Sequence, residues 1–131
     1  MSNFPKVVII EDSLTQAKLI AAQLSQYDID VFCAEDGIQG LRLVVAQQPD
    51  LIVLDVNMPK MDGYQVCQRL KRDPDTRHIP VIMLTSNDSS EDALKGLEAG
   101  ADDYIPKDNF AYQHLLSTLK AMRLLGANID V

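Results

Sequence analysis

Three short runs of wholly apolar residues constrain the fold of this chain more than any other feature. They are residues 7–10 (VVII), 51–54 (LIVL) and 81–84 (VIML). Apolar runs of this length, without polar alternation, are typical of strands that are buried on both faces of a parallel sheet. Weaker strand patterns occupy residues 30–34 and 103–105. We therefore expect a parallel sheet at the centre of the fold.

Amphipathic helical patterns separate the predicted strands. The first covers residues 14–27, with an apolar stripe made of Leu14, Ala17, Ala21 and Leu24. The second begins at Asp36 as its cap, and its apolar face comprises Ile38, Leu41, Val44 and Val45. Three further helices are predicted over residues 63–72, 91–99 and 110–125. Capping residues mark their ends: Ser89 or Ser90, Gly100, and Asp108 or Asn109.

Five strands that alternate with five helices predict an α/β fold with right-handed crossovers and helices on both faces of a parallel sheet. A sheet of five strands suits the flavodoxin-like, doubly wound order 2-1-3-4-5. Ligands of such sheets bind at the carboxyl ends of the strands, near the switch point between strands one and three. The length of 131 residues fits a single domain over residues 1–131, with its core at about 6–125.

The composition excludes several classes of partner. A formal net charge of −7 argues against direct binding of nucleic acid, because phosphate recognition needs a basic face. The sequence contains no signal-peptide pattern and no apolar run of the roughly 18 residues that a membrane span needs. Cys33 and Cys67 fit neither a redox motif nor a zinc spacing. We expect a cytoplasmic protein whose two cysteines are reduced and buried or half-buried.

Acidic residues lie at the carboxyl ends of two predicted strands. Glu11 and Asp12 follow the first strand, and Asp55 ends the third. Three carboxylates in one crevice repel one another unless a cation neutralises them. Magnesium prefers carboxylate and carbonyl oxygens, and a substrate phosphate often completes its coordination. The sequence therefore predicts a Mg²⁺ site. The alternative is that these acids only cap helices or carry solvated charges, and it applies most to Asp12.

Two further side chains are predicted at the same edge of the sheet. Thr85 ends the fourth strand and brings a hydroxyl donor, and Lys107 follows the fifth and brings a positive charge. A hydroxyl, a lysine and a metal around one carboxylate suit the oxygens of a phosphoryl group. Asp55 is then the best nucleophile, since a carboxylate can form an acyl phosphate. The alternative for Thr85 is a loop residue, and for Lys107 a surface charge.

Four sequence motifs together resemble the receiver domain of bacterial two-component response regulators, of the chemotaxis-regulator type. They are Glu11-Asp12, DVNMPKMDG at residues 55–63, Leu84-Thr85-Ser86, and GADDYIPK at residues 100–107. The resemblance covers residues 6–125, nearly the whole chain. It implies that the chain is a signalling switch of a phosphorelay. The only reactions it is then expected to catalyse are the phosphorylation and dephosphorylation of its own aspartate.

The resemblance also assigns roles to individual residues. Asp55 accepts the phosphoryl group from a phosphohistidine of a histidine kinase or phosphotransfer protein. Glu11, Asp12, Asp55 and the backbone carbonyl of Asn57 bind Mg²⁺. Thr85 and Lys107 contact the phosphoryl oxygens. As Thr85 moves, Tyr104 rotates inward and reshapes a face made of the fourth helix, fifth strand and fifth helix. That face binds a downstream protein or a covalently linked module. A phosphorylation-dependent homodimer through the same face is a further alternative.

One position departs from the family pattern. Receiver domains usually carry proline directly after the lysine, whereas here Asp108 follows Lys107 and Pro106 precedes it. A cis peptide bond before a residue other than proline costs about 3–4 kcal/mol, so we expect a trans Lys107–Asp108 bond. An acid beside Lys107 is also expected to compete with phosphate for its charge.

Two other functions are kept as alternatives. The first is a receiver-like interaction module that binds partners without phosphorylation, which the missing proline favours. The second is a small phosphatase with an aspartyl nucleophile. Such phosphatases commonly place a second aspartate two residues after the nucleophile, where this chain has Asn57. A length of 131 residues also leaves no room for a cap domain.

Overall fold

The computed structural model describes residues 3–86 and 90–125. Along this part of the chain, five strands alternate with five helices, as predicted. They are β1 (Lys6–Ile10), α1 (Leu14–Leu24), β2 (Asp30–Ala34), α2 (Gly37–Gln47), β3 (Leu51–Asp55), α3 (Gly63–Arg72), β4 (Val81–Thr85), α4 (Ser90–Glu98), β5 (Asp103–Pro106) and α5 (Ala111–Ala121).

The strands form one parallel sheet in the order β2-β1-β3-β4-β5, which confirms the predicted topology. The register aligns the strand ends at one edge. Asp55 at the end of β3 lies opposite Leu84, and Thr85 at the end of β4 lies opposite Pro106. The residues that follow the strands therefore meet at the carboxyl edge of the sheet.

Two apolar clusters cover the two faces of the sheet. Val8 and Ile10 of β1 face the cluster that includes residues of α2 and α3, and Val7 and Ile9 face the cluster that includes residues of α1 and α5. All four side chains are fully buried. Successive residues of a strand point to opposite faces, so burial on both faces requires an uninterrupted apolar run. This explains why the strongest strand signals show no polar alternation.

The apolar stripe predicted for α1 is partly wrong. Leu14 is 62% exposed, whereas Ile20, which the prediction left out, is buried with Ala17 and Leu24. The helix also ends at Leu24, three residues earlier than expected, with Ser25 as its cap residue, whose backbone N–H makes the last helical hydrogen bond to the carbonyl of Ala21.

The apolar face predicted for α2 is wrong at two of its four positions. Ile38 and Val45 are 50% and 54% exposed. Val44 is buried as predicted, and Gly37 and Gly40 are buried in place of the two exposed residues. A side chain at Gly40 would collide with Ile10 of β1, so the glycine allows the helix to approach the sheet closely. A hydrophobicity pattern cannot detect a contact that depends on the absence of a side chain.

The predicted helix caps agree with the structure in part. The side chain of Asp36 accepts from the backbone N–H of Gln39 and caps α2 as expected. Gly100 follows α4 with a φ of 98°, and this left-handed backbone conformation ends the helix as predicted. The fifth helix differs, because Phe110 is its cap residue and no side chain bonds there. Asp108 instead accepts from the N–H of Phe110 before the helix begins. Ser90 begins α4, and Ser89 lies outside the described residues.

Two expectations from composition are also tested by the fold. Cys67 is buried in α3, as predicted, but Cys33 is exposed on the edge strand β2. Burial was therefore predicted correctly for one of the two cysteines. Among the described residues, no helix has both the length and the apolar character needed to cross a membrane.

Candidate functional site

The carboxyl edge of the sheet brings the sequence-predicted site residues together from four strands. Glu11 and Asp12 follow β1, Asp55 ends β3, Thr85 ends β4, and Lys107 follows β5. This arrangement follows from the parallel order, because every strand then ends at the same edge. The predicted switch point between β1 and β3 is where the acids lie.

Three carboxylates form the acidic part of the site. One oxygen each from Glu11, Asp12 and Asp55 lies within 4.8 Å of the others. The side chains of Glu11 and Asp55 are 2% exposed, whereas Asp12 is exposed. Burial, and then repulsion from Asp55, raise the pKa of Glu11 from 4.5 to about 7. Hard oxygen donors crowded to this degree fit a small divalent cation such as Mg²⁺.

Lys107 neutralises the buried acids. Its Nζ lies 2.9 Å from Oδ1 of Asp55 and 3.3 Å from Oε2 of Glu11. The same ammonium donates to Oε1 of Gln16 at 2.7 Å. The backbone N–H of Lys107 donates to the carbonyl of Thr85 at 2.6 Å, which ties the residue to the end of β4. The ammonium is therefore fixed beside the predicted nucleophile.

Gln16 is a site neighbour that the sequence reasoning missed. It lies in the first turn of α1, where its own N–H donates to the Ser13 cap. A glutamine in the first turn of a helix is ordinary, so no local signal marks its contact with Lys107.

The loop after Asp55 is held by a short set of hydrogen bonds. The backbone N–H of Asn57 donates to Oδ1 of Asp55 at 3.3 Å. The Asn57 side chain donates to Oγ of Ser86 at 2.8 Å and so links the loops after β3 and β4. The N–H of Gly63 donates to the carbonyl of Val56 at 3.0 Å. Asp55 thus has a fixed backbone around it, while the role of the Asn57 carbonyl as a metal ligand stays a prediction.

The two predicted switch residues lie at different depths. Thr85 is completely buried. Tyr104 is half-buried, and its ring lies beside Gly96 of α4, where an added Cβ would stand 2.8 Å from the ring. The hydroxyl of Tyr104 lies 3.4 Å from that of Tyr64, a residue that the sequence reasoning did not single out.

The Lys107–Asp108 peptide bond is trans, as expected, and no described residue has a cis bond. The Asp108 carboxylate accepts from the N–H of Phe110 at 2.8 Å, while the Lys107 ammonium contacts Asp55 and Glu11. The Asp108 carboxylate is therefore engaged by backbone here, and its competition with phosphate for the Lys107 charge stays a prediction.

The raised pKa of Glu11 predicts a pH dependence of stability in the absence of metal. The folded protein holds a proton on Glu11 up to about pH 7, whereas the unfolded chain releases it near 4.5. The contribution is therefore complete below pH 4.5 and is lost as the pH rises through 7. We expect a loss of up to about 3 kcal/mol in the free energy of unfolding.

This loss is measured by urea denaturation in EDTA across that range, as the difference between the unmodified protein and Glu11→Gln. The glutamine keeps the shape of the side chain but does not titrate. Saturating Mg²⁺ is expected to flatten the difference, because the cation favours the charged carboxylate. The same pH profile in both proteins would show that Glu11 does not carry the effect.

Comparisons with known proteins agree with this geometry. Residues 7–120 match the response regulator receiver domain family. The chain is 43% identical over 118 residues to the DNA-binding dual master transcriptional regulator RpaA of Synechocystis. The aligned region covers 90% of this chain and 48% of RpaA. It is 41% identical over 102 residues to the response regulator PleD of Caulobacter vibrioides, covering 78% of this chain and 22% of PleD. The chain thus spans half or less of these curated relatives.

Solved structures show the same fold over whole chains. The signal receiver domain of a signal transduction histidine kinase from Syntrophus aciditrophicus is 38% identical, with a TM-score of 0.81, and covers 97% of this chain and 98% of its own. The chemotaxis protein CheY4 of Vibrio cholerae is 30% identical, with a TM-score of 0.83, and covers 93% and 99%. This chain belongs to the response regulator receiver domain family.

Proposed function

We propose that this chain is a phosphorylation-activated switch of a two-component phosphorelay, with Asp55 as the phosphoryl acceptor. The observation that carries the proposal is the position of the Lys107 ammonium, 2.9 Å from Asp55 at the edge where Glu11 and Asp12 also lie. A buried carboxylate with a fixed cation beside it is suited to take up a group that carries several negative oxygens.

The phosphoryl group comes from a phosphohistidine of a histidine kinase or phosphotransfer protein. An oxygen of Asp55 attacks the phosphorus, the new O–P bond forms as the N–P bond breaks, and the departing imidazole keeps the electron pair and takes a proton from solvent. The Lys107 ammonium pairs with the phosphoryl oxygens during the transfer, and the Thr85 hydroxyl donates a hydrogen bond to one of them. The domain accelerates only the reactions of its own aspartate.

Glu11, Asp12, Asp55 and the Asn57 carbonyl are the groups that hold Mg²⁺ in this proposal. The bound cation supplies neutralisation of the phosphoryl charge as it develops. The exposed position of Asp12 supports this role, since a cation held there would stay accessible to water and to a phosphoryl oxygen.

The output of the switch is a change in which proteins the domain binds. Thr85 and Tyr104 relay the phosphorylation to the face formed by α4, β5 and α5, which binds a downstream protein, a linked module or a second copy. Exposed Leu94 and Leu97 on α4 support a protein partner for this face. The proposal keeps the single receiver domain over residues 1–131 and the cytoplasmic location expected from the composition.

Acetyl phosphate tests the proposal with the purified protein. We expect intact-mass spectrometry to show the gain of one phosphoryl group in the presence of Mg²⁺ and no gain in EDTA. Beryllium fluoride with Mg²⁺ is expected to raise the melting temperature, because it mimics a phosphoryl group on a carboxylate. An unchanged mass and an unchanged melting temperature in Mg²⁺ would favour a phosphorylation-independent module instead.

A further inference from the structure

A second tyrosine, Tyr64, connects the loop between Asp55 and α3 (residues 56–62, the acceptor loop) to α4 and to Tyr104. The hydroxyl of Tyr64, in the first turn of α3, lies 3.1 Å from the backbone carbonyl oxygen of Asp92 in α4. The same hydroxyl lies 3.4 Å from that of Tyr104 on β5. We call this set of contacts, made by Tyr64, Tyr104 and the Asp92 carbonyl, the tyrosine bridge. It joins three elements of the fold at one half-buried point.

The direction of the hydrogen bonds in the tyrosine bridge follows from its chemistry. A carbonyl oxygen only accepts, so the single hydroxyl proton of Tyr64 is donated to Asp92. A hydrogen bond across the 3.4 Å contact with Tyr104 then has Tyr104 as its donor and Tyr64 as its acceptor. Burial raises the pKa of Tyr64 above its ordinary value, so the proton stays in place at working pH. The Tyr104 hydroxyl is thereby oriented towards α3.

The other end of Tyr64 is fixed to the segment that carries Asp55. The N–H of Gly63 donates to the carbonyl of Val56, and a Cβ on Gly63 would collide with backbone atoms of Asp55 and Val56. The start of α3 therefore packs directly on the acceptor loop, without side chains between them. A shift of that loop is transmitted to the Tyr64 backbone, because the contacting backbone atoms leave no free space for one to move without the other.

The tyrosine bridge also fixes α4 at two successive turns. Tyr64 reaches the carbonyl of Asp92 in its first turn, and the Tyr104 ring lies beside Gly96 one turn later. The helix and the aromatic ring are therefore positioned together.

We propose that Tyr64 is a positioning residue that holds α4 and the Tyr104 ring in the arrangement seen here, with the ring packed against the core cluster beside Gly96 and its hydroxyl next to that of Tyr64. It gives Asp55 a second connection to the output face, besides the one through Thr85. This inference rests on the proposed function and adds a residue to its relay. We take this packed arrangement as the one that phosphorylation favours. A phosphoryl mimic that binds it better is coupled to it thermodynamically, so loss of the Tyr64 hydroxyl is expected to weaken binding of the mimic.

The test compares Tyr64→Phe, Tyr104→Phe and the double variant, each of which keeps its aromatic rings. The matched control is Tyr112→Phe, a partly buried tyrosine of α5 that packs on the opposite face of the sheet. The first measurement is NMR of ¹³C-labelled tyrosine rings without any phosphoryl donor. We expect the Tyr104 ring signals to shift in Tyr64→Phe and to stay in place in Tyr112→Phe.

The second measurement is the apparent affinity for beryllium fluoride in Mg²⁺. Tyr64→Phe is expected to weaken it about 2- to 5-fold, as the loss of a modest neutral hydrogen bond implies. The same substitution is expected to have no further effect in the Tyr104→Phe background, because the two residues act through one contact. The stoichiometry of phosphorylation by acetyl phosphate is expected to stay the same.

The outcomes separate this inference from the proposed function. If the unmodified protein takes up no phosphoryl group, both fail. If it does, the inference is overturned when the Tyr104 ring signals do not shift, or when the effects of Tyr64→Phe and Tyr104→Phe on affinity simply add. A general loss of stability in Tyr64→Phe with unchanged affinity also overturns it, since a purely structural tyrosine behaves in that way.

Discussion

The Asp55→Asn variant is expected to take up no phosphoryl group from acetyl phosphate, whereas the unmodified protein takes up one. The amide has nearly the same shape as the carboxylate, so the fold is kept, but it is a poor nucleophile and forms no acyl phosphate. Intact-mass spectrometry in Mg²⁺ measures the result directly. A matched control is Asp50→Asn, an acid that directly precedes β3 at the opposite edge of the sheet.

Two further effects of Asp55→Asn follow from the charges around it. The variant is expected to bind Mg²⁺ at least about 10-fold more weakly, because one of the three carboxylates proposed as its ligands is lost. It is also expected to lower the raised pKa of Glu11, since repulsion by Asp55 is one of its causes. If Asp55→Asn still gains a phosphoryl group, the acceptor is another residue and the proposed chemistry is wrong.

The Gly63→Ala variant is expected to lose about 2–4 kcal/mol of unfolding free energy. A Cβ at this position lies 2.8 Å from Cα of Val56 and even closer to the carbonyl oxygen of Asp55. Both are backbone atoms at the end of a buried strand, so neither moves aside as a side chain does. Helix propensity favours alanine by about 1 kcal/mol, and the collision outweighs it.

Urea denaturation measures the effect of Gly63→Ala, with Gln68→Ala as an exposed control on the same helix. The control is expected to change stability by less than about 0.5 kcal/mol. A loss below about 1 kcal/mol in Gly63→Ala would show that α3 shifts away from the acceptor loop at little cost. In that case, the start of α3 is not rigidly packed on the acceptor loop, and the connection proposed through Tyr64 loses its support.

The sheet and its functional edge were predictable because their signals are local and cumulative. An apolar run such as residues 51–54 indicates a buried strand by itself, and alternation with helices then limits the strand order. Once the order is known, Asp55, Glu11 and Lys107 must approach one edge. The trans Lys107–Asp108 bond followed from the cost of the alternative, and the structure confirms it.

The features that were missed depend on contacts between distant elements. The exposed Ile38 results from close packing at Gly40, which no count of apolar residues reveals. The contact of Gln16 with Lys107 spans 91 positions, and that of Tyr64 with Tyr104 spans 40. Such pairs arise only after the sheet has placed their elements side by side. Side chains that act through long-range geometry therefore escape a reading of local patterns.

The bond between Lys107 and Glu11 joins residues that are 96 positions apart. During synthesis the three acids leave the ribosome long before the lysine that neutralises them. A nascent chain that ends before β5 has crowded carboxylates without their ammonium, and its sheet lacks an edge strand. Contacts this distant form late, because the intervening chain must be ordered first. The arrangement of Lys107 beside the acids can therefore form only after β5 and the residue that follows it have been made.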